Sequence, residues 1–144
     1  MRKLVFLALV TLVAGACGDN AGTAPTPQIP NVSGNYSGTT RMVLPELNSS
    51  VTCPTTTSVS QSGSNISVAP LVMAGECGGM SIPLGSTTID ATGSLGQSSG
   101  THREACGLYN WAASGGFFGR ELRLSMTATS TTCWNMNMTI TVTR

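Results

Sequence analysis

Five cysteines, one histidine and a pair of closely spaced thioethers carry most of the reactive chemistry in this 144-residue chain. His102 lies in the stretch GTHREAC and is the only histidine. On an extended strand it shares a face with Glu104 and Cys106, which sets a carboxylate to orient an imidazole beside a thiol. The competing reading, and the one expected here, is a strand of mixed charge with Cys106 spent in a disulfide. The acids occur singly, with no carboxylate pair in one segment of the kind glycoside hydrolysis uses. Gly78-Gly79 and Gly115-Gly116 read as loop glycines, because none stands between a parallel strand and a helix as phosphate binding requires. No catalytic residue, no cofactor and no enzymatic activity are therefore expected.

Two other clusters invite a binding role. In WNMNM, Trp134, Met136 and Met138 alternate onto one strand face. Soft thioethers select Cu(I), and the segment is similar to the Trp and Met-x-Met elements of periplasmic copper-binding barrels. The same alternation serves a core, where methionine fills irregular gaps; core packing is preferred and Cu(I) kept as the alternative. LYNWAASGGFFG gathers Tyr109, Trp111, Phe117 and Phe118. Tyr36, Tyr109, Trp111 and Trp134 are the candidate lining of a small apolar pocket, or a surface for stacking on a sugar. Against that, Trp111 and Phe118 would simply plug a barrel whose interior is only wide enough for its own side chains.

The N-terminus places these residues in a compartment. Arg2 and Lys3 precede an apolar run over residues 4–13, followed by Ala14-Gly15-Ala16-Cys17. About a dozen apolar residues at ~1.5 Å rise cannot span a ~30 Å hydrocarbon core, whereas the pattern suits a secretory signal peptide. LVAGAC also resembles the lipobox of bacterial lipoproteins, which implies that residues 1–16 are removed and that Cys17 is acylated. The alternative is an ordinary cut after Ala16 that leaves Cys17 a plain thiol. Two or more acyl chains would hold the protein firmly in a membrane. Gly18, in place of the Asp that retains enteric-type lipoproteins in the inner membrane, points by the same resemblance to the outer membrane. Residues 17–31, with Pro25, Pro27 and Pro30, read as a tether. Four cysteines then remain, Cys53, Cys77, Cys106 and Cys133. In an exported chain they suggest two disulfides with three possible connectivities; Cys53–Cys77 and Cys106–Cys133 are preferred because each joins nearby segments. No Cys-x-x-Cys spacing indicates zinc.

The elements that must position these groups are strands, over a domain of residues 32–144. No apolar period of 3.6 emerges, while period-two alternation is plain. In RELRLSMTA, Leu122, Leu124, Met126 and Ala128 share a face; in CWNMNMTITVTR, Met136, Met138, Ile140 and Val142 do, with residues 129–132 as the turn between. Weaker strands are expected in NYSGTTRMVL, TTTSVSQ, ISVAPLVM, MSIPL and STTIDATG. A further segment, GTHREACGLYNWAAS, turns back through Gly115-Gly116. About eight strands with one polar face each predict an all-β fold: a small antiparallel up-and-down barrel, with a two-sheet sandwich as the alternative. VSGNYSGTT adds a local sign, since Gly34-x-Tyr36 resembles the Gly-x-Trp opening of the lipocalin and fatty-acid-binding (calycin) barrels. That resemblance implies a late Arg over the aromatic ring, Arg144 or Arg123 here, although Tyr replaces Trp and the terminal helix of lipocalins has no counterpart. The chain as a whole is also similar to small bacterial lipoproteins of uncharacterised type.

Without Arg2 and Lys3, five Arg face six acids, a formal charge of −1. That balance gives no electrostatic footprint for nucleic acid. The expected function is a non-catalytic envelope lipoprotein, anchored to the membrane by lipid and holding a small apolar ligand in its barrel. The alternative is a structural or interaction lipoprotein with a solid core. Interior volume separates the two.

Overall fold

The structure, a computed structural model, describes residues 26–144; the expected signal peptide, Cys17 and the first part of the tether lie outside the described residues. Ten strands follow in chain order: β1 (Gly34–Leu44), β2 (Ser49–Ser62), β3 (Asn65–Val68), β4 (Leu71–Met73), β5 (Ser81–Ile82), β6 (Gly85–Thr88), β7 (Ser98–Glu104), β8 (Gly107–Phe118), β9 (Glu121–Thr129) and β10 (Met136–Thr143). Every pairing is antiparallel.

These ten strands make eight staves. β3 and β4 both pair with the free edge of β2 and form one stave broken at Ala69 and Pro70. β5 and β6 answer them as the return stave, broken at Pro83 and Leu84. Proline has no N–H for a ladder, so each break falls where the sequence withdraws a donor. β10 closes onto β1 from Ser37↔Thr143 to Val43↔Asn137, so the sheet is a nearly closed up-and-down barrel and not a sandwich.

Alternation decides what fills it. β9 and β10 send Leu122, Leu124, Met126, Ala128, Met136, Met138, Ile140 and Val142 inward, all buried, as their pattern predicts. The inward hydroxyls are satisfied: Thr40 and Thr55 bond each other at 2.8 Å, and Thr57 donates to Ala69 O at 2.8 Å. At the end where the chain enters, Gln61 clamps the approach by accepting from Val32 N (2.7 Å) and donating to Pro30 O (2.9 Å). Both disulfides lie at the opposite end, and they have the preferred pairing, Cys53–Cys77 and Cys106–Cys133.

Three local expectations are corrected. β8 does not turn at Gly115-Gly116 but runs through to Phe118, and the turn falls at Gly119 and Arg120. A Cβ on Gly115 would sit 2.0 Å from Arg123 O, so the glycine admits the β9 backbone at close range instead of reversing the chain. The phase of β8 is thereby kept: Phe117 is buried and Phe118, expected as a plug, is 60% exposed. Between β9 and β10 the loop spans residues 130–135 in place of a tight turn at 129–132.

Candidate functional site

Tyr36, Tyr109 and Trp111 point into the barrel and are buried. Trp134 does not join them. It precedes β10, in a loop shaped by Ser130 Oγ, which accepts from Thr132 N and Cys133 N, and by Asn135 Oδ1, which accepts from Ser130 N. Strand parity stops at Met136, and Trp134 is 56% exposed. Met136 and Met138 are core side chains; Met138 stands between Met42 of β1 and Met126 of β9. Among the described residues no three His, Cys, Asp or Glu side chains gather to hold a metal ion.

The late arginines divide their tasks. Arg144 Nη1 donates to Ser33 O at 2.6 Å and lies over Gly34, at the base of the barrel beside Tyr36. Arg123 instead forks onto Glu121 (2.7 and 3.1 Å) and stands 5.3 Å from the ring centre of the exposed Phe118. That fork holds the Glu121 carboxyl below the usual carboxylate range.

His102 and Glu104 do meet, Nε2 to Oε1 at 2.8 Å, while Cys106 is taken by its disulfide in the turn beyond. The pair is half-buried and faces a small apolar cavity shared with Met80, Ile82, Tyr109, Trp111 and Met136. It stands at the edge of a place where the barrel wall itself is incomplete. Near the entry end, residues 93–96 join β6 to β8 through Gly96 N to Thr88 O (2.9 Å), Leu95 N to Gly115 O (3.0 Å) and Phe117 N to Gly93 O (2.8 Å). Toward the disulfide end, β5 and β7 face each other without pairing. We call this the seam. A solvent-open cleft of about 320 Å³ lies along it, between residues 77–81 and residues 102–104.

One buried side-chain atom among the described residues lacks a partner, and it is at this seam: Trp111 Nε1. Gly100 of β7 sits opposite Trp111 of β8, and the indole packs so closely over it that a Cβ there would meet Cζ2 at 2.9 Å and Nε1 at 3.2 Å. Sequence reasoning missed the seam, although a signal for it existed. Met80-Ser81-Ile82 is hemmed between Gly78-Gly79 and Pro83, too short to pair along the whole of β7. Among the described residues the apolar cavities reaching the core are small, about 20 Å³ beside Leu84, Leu95 and Leu124 and about 10 Å³ beneath the seam. Larger clefts of about 570 Å³ (residues 60–67 with 86–88) and about 550 Å³ (residues 35–37, 56–58 and 69–72) are open to solvent. No helix among the described residues is long and apolar enough to cross a membrane. Comparison of the chain with protein-family models, with curated proteins and with solved structures finds no match.

Proposed function

We propose that this chain is a non-catalytic envelope lipoprotein, held to the outer membrane through an acylated Cys17, whose barrel acts by its outer surface and not by enclosing a ligand. What supports this reading over an apolar-ligand carrier is the filled interior. Cavities of about 20 and 10 Å³ compare with several hundred Å³ for a small-molecule site. A water-sized void is the most that either provides. The tether enters at one end of the barrel, and the disulfide-stapled loops stand at the other, where an anchored domain presents them away from the membrane.

The test is native mass spectrometry of residues 18–144, oxidised and purified without detergent; this segment contains every described strand. The expected mass is that of the bare chain less four hydrogens. A reproducible added mass in the lipid range, lost on organic extraction, would overturn the solid-core reading. Anchoring is tested on the whole chain: Cys17→Ser should abolish incorporation of labelled fatty acid and release the protein from the membrane fraction.

A further inference from the structure

A barrel that works by its surface needs a place where that surface has bonding capacity to spare, and the seam is such a place. We propose that the edge of β7 facing β5 receives a short extended segment of a partner polypeptide by strand addition; this rests on the solid-core reading and gives it a partner class. The β7–β8 hairpin closes through a two-residue turn at Glu104↔Gly107. Ladder alternation then turns the N–H and C=O of Thr101 and Arg103 away from β8. On the opposite wall, Met73 N donates to Met80 O at 2.9 Å, so alternation turns the backbone groups of Ser81 away from β4. No described backbone bond crosses between the two walls. Unspent donors and acceptors thus flank the cleft, at Thr101 and Arg103 on one side and at Ser81 on the other.

Unspent backbone groups along a strand edge are a template for extended backbone. A small apolar molecule is disfavoured, because only about 10 Å³ lies beneath. The slot is short: residues 93–96 block it toward the entry end, leaving room for about four residues, ~13 Å of strand. Its chemistry also sorts side chains. Inward positions meet Met80, His102 and Glu104, and with only about 10 Å³ beneath them they favour Gly, Ala or Ser. Outward, Arg103 is exposed and has no carboxylate partner among the described residues, which favours an acidic residue.

The probe is a library of N-acetylated, C-amidated pentapeptides, with Asp or Glu at outward positions and Gly, Ala or Ser at inward ones. These are added to the oxidised 18–144 protein while amide hydrogen exchange is followed. Members that bind should slow exchange at Thr101 and Arg103 at least tenfold and leave β1 and β10 unchanged. Thr101→Pro removes an outward N–H that no ladder bond uses, so it should keep cooperative melting and lose binding tenfold or more. As a measurement independent of that variant's folding, N-methylation of the peptide amide that bonds β7 should abolish binding to the unmodified protein. If no peptide slows exchange at Thr101 and Arg103, or if the N-methylated peptide binds equally well, the edge is merely solvated and strand addition is wrong. The solid-core reading would survive that failure, since only a retained small molecule in the mass measurement overturns it.

Discussion

At the scale of single residues, Tyr36 carries the base of the barrel. Its ring packs edge-on against Phe117, with centroids 5.7 Å apart, and its hydroxyl donates to the buried Val32 O at 2.7 Å. Tyr36→Phe leaves that carbonyl without its partner at a cost of about 1–2 kcal/mol. The loss should appear as a lower urea midpoint with an unchanged slope. Burial pushes the Tyr36 phenol above its ordinary pKa near 10, with Arg144 opposing, and burial also raises Tyr109, helped by the charges of Glu104 and Glu46. The sign follows from linkage. Above pH 10 the unfolded phenols release protons that the folded ones keep, so stability is intact below that pH and falls as pH rises toward the raised folded values. Urea midpoints measured from pH 8 to pH 11.5 should show this fall, and the Tyr36→Phe, Tyr109→Phe double variant should flatten it. An equal fall in the double variant would assign the alkaline loss to other groups.

At the scale of elements, the two disulfides staple the same end of the barrel but secure different things. Cys106–Cys133 ties the β7–β8 turn to the loop of residues 130–135, which is also pinned where Asn135 donates to Glu46 Oε1 (2.6 Å from Nδ2, 3.2 Å from N). Cys53–Cys77 ties β2 to the turn before β5, and Cys53 is fully buried. Chain entropy assigns each about 3 kcal/mol. Replacing Cys106 and Cys133 by Ser should cost about that, whereas replacing Cys53 and Cys77 by Ala should cost more, because a core cavity is added. Thermal melts of the two double variants give the order. The pairing itself was foreseeable, as were the strands of β9 and β10, because alternation is a local property of sequence. What escaped reading was set by distant contacts. Gly115-Gly116 looks like a turn until β9 and residues 93–94 are seen to pass within a glycine's reach. Phe118 reads as a plug only if the chain turns at Gly115-Gly116, and Trp134 reads as inward only if parity extends past the start of β10. The His102–Glu104 pair was legible as a shared face, but the seam it borders was not, since no sequence pattern states which edges fail to meet.

At the scale of the whole molecule, stability is distributed unevenly around the ring. From β2 through β1, β10, β9 and β8 the staves are long, continuously paired and backed by fully buried side chains such as Leu122, Ile140 and Val142. Across the gap stand the interrupted staves, where β4 and β5 hold only short ladders and β7 is bonded on one edge. Parting the wall at the seam breaks no ladder bond; it costs the contacts of Met80 and Ile82 and the exposure of the His102–Glu104 pair. A local opening there should therefore require less free energy than global unfolding. Native-state hydrogen exchange under low denaturant tests this directly. The paired amides of β4 and β5 should exchange through an opening of weak denaturant dependence, while those of β1, β9 and β10 should follow the global transition. The Cys53–Cys77 bond limits how far β4 and β5 can travel, so its reduction should accelerate the first group well before the second. Exchange of all strands by one common opening would mean that the ring is a single cooperative unit. In that case the seam would be a static gap, open to a partner's backbone only at its outer edge.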